Sequence, residues 1–376
     1  MHKKLTRRSF LEAGAATCAA AGLSAVPSVV REPTVRANTD SQDETANCPG
    51  NQVLALAPGL HVVKIEVPRR DGTSVEAYVS SDGQGELSPK PVILLLHGSG
   101  GDSVFARKGD QVFTPFLFGS LQSLIKDWNI VCIEKRGVSL GDFVGFSGFE
   151  GCSPEYIEYA TREARIEDAC CVVNHLIEQK LYDGSTFLLI GHSEGSHVAA
   201  GVASSSMSIT HLALFPFSAG HGLFDGLVDL REQLKANPIS AEDFKQKYER
   251  LVGTFREIRT DARSKAKEFK GHTYRRWASY SFGAPLRDLL KVDIPVFLGI
   301  GSLDQTAIGT DWVVAEFVKE GKDNLTYRNY VNYDHAFFWH GEDRVENRQN
   351  EVLRDLMEWV KASTLQEKGT KRAQPW

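Results

Sequence analysis

The sequence has few cysteines, few methionines and no excess of basic residues. Six cysteines and three methionines occur among 376 residues, and no Cys-x-x-Cys or Cys/His spacing predicts a metal site. The formal net charge is −5, which argues against nucleic-acid binding because such proteins normally carry a basic excess. Neither G-x-G-x-x-G nor G-K-[S/T] is present, so no phosphate-binding loop and no cofactor are expected. A soluble core of one large or two modest domains remains.

The amino-terminal segment has the pattern of an export signal. Residues 6–11, T-R-R-S-F-L, resemble the twin-arginine motif. Residues 13–30 carry no charge, but the stretch is rich in Ala and Gly and contains Pro27, so it is too weakly apolar to predict a membrane span. We expect residues 1–37 to be a twin-arginine signal peptide that binds the twin-arginine export machinery. The mature chain would then be periplasmic or secreted, with no stable membrane span after processing.

Export bears on the cysteines, because an oxidising compartment permits disulfides. Cys132 lies in a strand pattern, and Cys170 and Cys171 lie in a helical pattern, where buried thiols are usual. Cys48 and Cys152 lie in loop-like sequence and could pair. The sequence leaves that pairing open.

The remainder predicts an α/β fold with a mostly parallel sheet. Residues 38–58 are predicted as a polar linker, 59–220 and 291–364 as the two parts of a core, and 365–376 as a tail. Alternating or unbroken apolar runs predict strands, and helical spacing separates most of them. These runs cover residues 60–67, 74–80, 91–96, 129–133, 186–190, 211–215, 294–300 and 325–331.

Residues 221–290 interrupt this alternation with helical sequence only. Phe244, Tyr248, Leu251 and Phe255 follow at spacings of four, three and four, which predicts one apolar helix face. We expect a helical cap inserted in the core, although long connecting helices are an alternative. The segment has 14 Lys and Arg against 10 Asp and Glu. This charge could steer an anionic substrate, or it could dock the segment on the acidic core.

A G-x-S-x-G motif lies where a predicted strand meets a predicted helix. Gly191, Ser193 and Gly195 form the motif after the apolar run 187–190. A nucleophile elbow needs this arrangement, since only small residues fit the tight turn that exposes the serine. Over roughly residues 60–362 the sequence here resembles the α/β-hydrolase superfamily, including esterases and the catalytic domain of prolyl-oligopeptidase relatives.

The resemblance implies an oxyanion hole. An H-G-x-G-G turn at residues 97–101 ends an earlier strand, and in the family this turn supplies one backbone N–H while the residue after the nucleophile supplies another. By that match the donors would be Glu194 and one of Gly98, Ser99 or Gly100.

The resemblance also implies an acid and a base in the chain order Ser, acid, His. Asp304 ends a G-x-x-D turn after a strand, and His335 follows the next strand. The histidine would take the Ser193 proton, and the aspartate would orient the imidazole. His340 competes for the base and Asp225 for the acid.

Other polar residues near these motifs have weaker assignments. His97 and His192 are assigned packing or hydrogen-bonding roles. Residues 134–137, E-K-R-G, would lie beside the site or form a solvated turn.

The expected function is an exported serine hydrolase of a small soluble carboxylic ester or thioester. It would act through an acyl-enzyme on Ser193. Two alternatives stay open, namely an aminopeptidase or acyl-peptidase with a peptide-like substrate, and a catalytically silent binding protein on the same fold.

Changing Arg7→Lys together with Arg8→Lys should block export, because the export receptor recognises the guanidinium pair and lysine charge does not replace it. Cell fractionation followed by immunoblotting should show unprocessed precursor in the cytoplasm. Lys3→Arg with Lys4→Arg is the matched control and should be exported normally. Normal export of the Arg7/Arg8 double variant would indicate the general secretory route or a fortuitous arginine pair.

Overall fold

A nine-stranded sheet forms the centre of the structure, a computed structural model that describes Leu23–Ala25 and residues 52–145 and 148–372. In chain order the strands are β1 (Gln52–Ala57), β2 (Leu60–Pro68), β3 (Ser74–Ser81), β4 (Lys90–Leu96), β5 (Asn129–Ile133), β6 (Tyr182–His192), β7 (His211–Phe215), β8 (Val296–Gly301) and β9 (Leu325–Tyr330). Across the sheet they follow the order β9-β8-β7-β6-β4-β5-β3-β2-β1. Strands β4 to β9 pair in parallel and the first three pair antiparallel. The predicted mostly parallel sheet is confirmed.

Helices pack on both faces of this sheet. They are α1 (Phe118–Leu121), α2 (Pro154–Tyr159), α3 (Arg162–Glu178), α4 (Glu194–Ser205), α5 (Leu223–Lys235), α6 (Ala241–Thr260), α7 (Tyr274–Phe282), α8 (Pro285–Leu290), α9 (Ala307–Lys319) and α10 (Gln349–Arg372), with a 3₁₀ helix at Gln122–Leu124. Along β4 the side chains alternate, so Leu94 and Leu96 enter one apolar core while Ile93 and Leu95 enter the other. The first core includes α3, α4 and α9, and the second includes α1 and α10.

Four helices, α5 to α8, fill the segment between β7 and β8 where the sequence predicts a cap. Helices α5, α6 and α7 enclose a small apolar core around Leu251, Phe255 and Ile258, whereas Leu289 of α8 packs in the first core of the sheet. The expectation of a purely helical segment was wrong in one place, because Glu268–Phe269 and His272–Thr273 form a hairpin. Its turn residues have positive φ, and strands of two residues are too short to leave an alternating pattern.

Two predicted boundaries were also wrong. Part of the predicted linker 38–58 is strand β1, which pairs with β2 across a turn at Gly59 and buries Leu56. Part of the predicted tail 365–376 continues helix α10 to Arg372. Residues 38–58 are polar as a whole, although residues 53–57 form a short apolar run, V-L-A-L-A, and the tail segment contains good helix formers such as Leu, Gln, Glu and Lys.

Besides the cap hairpin, three shorter strand pairings of the described residues lie outside the sheet. Arg107–Lys108 pairs with Gln111–Pro115, and Phe338–His340 pairs with Val345–Asn347. Leu23–Ala25 pairs antiparallel with Gln111–Pro115, and the rest of the predicted leader lies outside the described residues. Among the residues the structure describes, no helix is long and apolar enough to cross a membrane.

The cysteine prediction is only partly within the described residues. Cys132, Cys152, Cys170 and Cys171 are free thiols. Cys48 lies outside the described residues, so its predicted pairing with Cys152 stays a prediction.

Candidate active site

Strand β6 ends in a strained turn at Ser193. Its φ of 55° and ψ of −125° lie outside the regions that ordinary residues populate, at a cost of about 1–3 kcal/mol. The Ser193 N–H donates to the Phe215 carbonyl at 2.7 Å, which fixes the turn to the end of β7. Helix α4 begins at the next residue. The structure therefore has the strand, turn and helix that a nucleophile elbow requires.

The two motif glycines allow this turn to pack tightly. A Cβ at Gly191 would lie 2.5 Å from the Ser196 Cα, and a Cβ at Gly195 would lie 2.0 Å from the Leu96 carbonyl oxygen. Any larger residue at either position would push α4 away from β4 and β6. The first turn of α4 consequently rests on the start of the H-G-x-G-G turn.

The predicted acid and base are hydrogen bonded to each other. Asp304 follows β8, His335 follows β9, and the His335 Nδ1 lies 2.7 Å from the Asp304 Oδ2. The Asp304 Oδ1 accepts the Thr306 N–H at 2.7 Å and its hydroxyl at 2.8 Å. Asp304 is therefore fully bonded, and the His335 Nε2 is left for another group. No hydrogen bond joins the Ser193 hydroxyl to His335 in the described chain, and such contacts commonly tighten only with substrate bound.

Charge and burial act in opposite directions on this pair. Burial alone would raise the pKa of Asp304, but His335 and the Thr306 bonds lower that pKa below its usual range. Burial alone would lower the pKa of His335, but the charge and hydrogen bond of Asp304 raise that pKa above its usual value of 6.5, with Asp334 and Asp225 adding to the effect. The carboxylate thus favours the imidazolium that forms when His335 takes a proton.

The competing histidine has a different partner. The His340 Nε2 lies 2.8 Å from the Asp334 Oδ2, while the Asp334 Oδ1 accepts the N–H groups of Ala336 and Phe338 at 3.0 and 2.9 Å. These bonds shape the loop that carries His335. His340 has a structural partner and Asp304 does not contact it.

His192 also contacts the loop that carries His335. Its Nε2 lies 3.1 Å from the His335 carbonyl oxygen, and its ring stacks on Phe116 with centroids 4.5 Å apart. Burial, followed by the charge of His335, lowers the pKa of His192 to about 3, so the ring is neutral and donates this bond. The hydrogen-bonding role assigned to His192 agrees with this position.

Asp225 lies near the pair without bonding to His335. It is in the first turn of α5, and its Oδ1 accepts the Ser218 hydroxyl at 2.6 Å. Burial raises the pKa of Asp225 to about 6, and the charge of Asp304 adds to that rise. The sequence left Asp225 as an alternative acid, and the hydrogen bond to His335 belongs to Asp304.

The predicted oxyanion donors converge at the elbow. Gly195 packs on the carbonyls of Leu96 and His97, which brings Glu194 beside the turn. Within the described residues, the backbone N–H groups of Gly98, Ser99, Gly100 and Glu194 have no hydrogen-bond acceptor. Backbone N–H groups buried without a partner are rare in folded proteins. Free donors of this kind can donate hydrogen bonds to an oxygen on which negative charge develops.

The polar E-K-R-G loop is buried. Glu134 accepts the Ser103 hydroxyl at 2.7 Å, and burial raises its pKa to about 7. Lys135 donates to the Gly100 carbonyl at 2.6 Å, and burial followed by Arg165 lowers its pKa to about 7. Arg136 binds Asp168 at 2.8 Å. The solvated-turn alternative was therefore wrong, because these side chains are within the core.

Sequence reasoning missed the groups that bind the Glu194 side chain. Glu194 is buried and accepts from Arg165 of α3 at 2.9 Å and from Arg276 of α7. Burial alone would raise the pKa of Glu194. The positive charges of Arg276, Arg165 and Lys135 outweigh burial and hold that pKa far below its usual range. No local motif marks these arginines, since they are 29 and 82 residues away in the chain.

Comparison with known proteins supports the fold. The acylaminoacyl peptidase of Pyrococcus horikoshii superposes with a TM-score of 0.51 at 13% identity, over 81% of this chain and 41% of that one. The dipeptidyl peptidase 4 of Porphyromonas gingivalis gives 0.50 at 10% identity, over 80% and 35%. The chain has the α/β-hydrolase fold. It spans less than half the length of either peptidase.

A further α/β-hydrolase structure, the acetyl xylan esterase from Paenibacillus sp. R4, gives a TM-score of 0.48 at 14% identity, over 83% of this chain and 87% of that one. No family model and no curated protein matches the chain.

The pH profile of hydrolysis should distinguish the two carboxylates near His335. Because His335 must be neutral to take a proton and its pKa is raised, kcat/KM should increase with pH through a value above 6.5. Asp225→Asn removes one charge that raises that pKa, so the acid limb should move to lower pH by less than about one unit. Its plateau should stay within about threefold of the wild type.

Asp304→Asn is the matched comparison. It should lower kcat on the order of 10²-fold or more, because the imidazole loses its orienting acceptor. Stopped-assay rates from pH 5 to 9 measure both effects. A larger loss of kcat in Asp225→Asn than in Asp304→Asn would make Asp225 the acid.

Proposed function

We propose that the protein is a serine hydrolase that cleaves a small soluble carboxylic ester or thioester. The observation that carries this proposal is the 2.7 Å bond between Asp304 and His335, formed beside a strained serine elbow. Four backbone N–H groups without an acceptor at the same elbow add to it. A catalytically silent binding protein would not require the Asp304–His335 bond, the strained elbow or the free N–H groups.

The proposed reaction begins with attack by the Ser193 Oγ on the carbonyl carbon, while its proton passes to the His335 Nε2. The carbonyl oxygen becomes an oxyanion and accepts from Glu194 N–H and from the turn. The bond to the leaving group then breaks, and His335 gives its proton to the alcohol or thiol. Water repeats these steps on the acyl-enzyme, releases the acid and restores Ser193.

The charges near the elbow favour a substrate without a free amino group. Recognition of an α-ammonium requires an unpaired carboxylate. Glu194, the carboxylate next to the nucleophile, is instead bound by Arg165 and Arg276, with Lys135 nearby. An ester or an N-blocked acyl group therefore fits this site better than a free aminoacyl amide.

The surface charges of the cap favour docking over steering. Lys265 and Arg275 both bind Glu158 of α2, at 2.5 and 2.8 Å, and Arg276 is buried on Glu194. Charges neutralised by the core exert little long-range attraction on a substrate. We infer that Lys265, Arg275 and Arg276 attach the cap to the core.

Export is proposed on the sequence alone. The twin-arginine motif at residues 6–11 supports a periplasmic or secreted enzyme, with the twin-arginine machinery as its transport partner. Fractionation of the Arg7/Arg8 variant tests it.

Ser193→Ala should abolish ester hydrolysis, because the covalent route loses its nucleophile. Wild-type protein should be labelled by a fluorophosphonate probe and Ser193→Ala should not. Mass spectrometry of the labelled peptide measures this directly. Ser204→Ala is the matched control on the same helix, where the hydroxyl donates to the Gly201 carbonyl at 2.9 Å, and it should be labelled at the wild-type rate. Residual hydrolysis by Ser193→Ala within about tenfold of wild type would contradict the assignment.

A panel of chromogenic substrates with matched leaving groups should separate esterase from peptidase activity. Small acyl esters should show the highest kcat/KM, N-blocked aminoacyl amides a lower value and free aminoacyl amides the lowest. The free aminoacyl amides should be on the order of 10²-fold below the esters, because their ammonium group would lie near Arg165, Arg276 and Lys135 without an unpaired carboxylate to bind it. Preference for free aminoacyl amides would replace the esterase proposal by an aminopeptidase.

A further inference from the structure

Two cations bind the carbonyl groups of the glycine-rich turn. The Arg165 Nη2 donates to the His97 carbonyl at 2.6 Å, and its Nη1 lies 3.5 Å from the Gly98 carbonyl. The Lys135 Nζ donates to the Gly100 carbonyl at 2.6 Å. Three of the four carbonyls from His97 to Gly100 thus lie near a cationic side chain.

Those contacts determine where the N–H groups of the turn point. The described chain has no cis peptide bond, and in a trans peptide the C=O and the following N–H point in opposite directions. When His97 and Gly98 direct their carbonyls at Arg165, the N–H groups of Gly98 and Ser99 are directed away from it. These are two of the N–H groups that have no acceptor in the structure as described.

Arg165 also reaches the second half of the oxyanion hole. Its Nη1 donates to the Glu194 Oε1 at 2.9 Å, and the Glu194 backbone N–H is the other donor. The Arg276 Nη2 binds the Glu194 Oε2, and both guanidinium side chains are at least 90% buried. One guanidinium therefore contacts the turn and the residue after the nucleophile together.

We propose that Arg165 is a positioning residue that aligns the two halves of the oxyanion hole, with the Glu194 carboxylate holding it in place. This inference rests on the proposed function. Gly98, Gly100 and Gly101 give the turn wide backbone freedom, whereas the donors must lie about 2.7–3.1 Å from the oxyanion. Rigid, planar Arg165 restricts that freedom at the atoms concerned.

The test is the substitution Arg165→Lys. Lysine keeps the positive charge, but its single ammonium group cannot bind the His97 carbonyl and the Glu194 carboxylate in the geometry of the guanidinium. We expect kcat for a small ester to fall about 10- to 100-fold, with KM within about threefold. Affinity for a boronic acid that mimics the tetrahedral intermediate should fall by the same factor as kcat, because both depend on the oxyanion donors.

Arg162→Lys is the matched control. Arg162 lies on the same helix, is equally buried, and donates to the carbonyls of His197 and Gly283 and to Asp288. This variant should lose comparable thermal stability while kcat and boronic acid affinity stay within about threefold of wild type. Equal losses of kcat in the two variants, or an unchanged Arg165→Lys, would overturn the proposal.

Two further measurements keep the test decisive. If Arg165→Lys does not fold, Glu194→Gln, which removes the charge that holds Arg165, should lower kcat and boronic acid affinity together by about 3- to 10-fold, and no loss would overturn the inference. Fluorophosphonate labelling of the wild type separates the two proposals. An unlabelled wild type overturns the proposed function and the inference with it, whereas a labelled wild type with an unaffected Arg165→Lys overturns the inference alone.

Discussion

The contact between Gly195 and the backbone of Leu96 determines the geometry of the site. Because a Cβ at this glycine would lie 2.0 Å from the Leu96 carbonyl oxygen, only glycine allows helix α4 to rest on the end of β4. That approach places the Glu194 N–H beside the turn that starts at His97. It also forces Ser193 into its strained conformation, since the chain must reverse within one residue. The strain persists because the apolar cores on both faces of the sheet hold β6 and α4 in place.

Burial alone does not decide which groups in this site are charged. Burial raises the pKa of Glu134 to about 7 and lowers that of Lys135 to about 7. Asp304 is just as deeply placed, yet His335 and Thr306 keep its pKa below the usual range. Burial raises the pKa of Asp225 to about 6, and the bonds from Ser218 and Gly222 only partly offset that rise. Two aspartates near one imidazole thus differ in charge preference because only Asp304 has the charge and hydrogen bond of His335 to offset its burial.

The sequence could predict the parts of this molecule that depend on local pattern. Apolar runs located eight of the nine sheet strands. The resemblance to α/β-hydrolases implied Asp304 and His335 as acid and base, and the two side chains are hydrogen bonded. Strand β1 was not predicted because its short apolar run, residues 53–57, ends a stretch that is polar as a whole. The binding of Glu194 by Arg165 and Arg276 could not be predicted, because its partners come from α3 and α7 and only tertiary packing brings them together.

The contacts between the cap and the core bear on the proposed substrate. Arg276 is buried on Glu194, Ser279 donates to Glu163, and Asp288 accepts from Arg162 at 2.6 Å. Separating a buried ion pair leaves a charge without a partner and costs about 3–5 kcal/mol. A lid that opens at a lipid surface would have to break the buried Arg276–Glu194 pair and would have to expose apolar surface in return. The proposed substrate, which diffuses to Ser193 from water, is consistent with a cap held by this pair, and the same pair would link the position of the cap to the proposed alignment of the oxyanion donors.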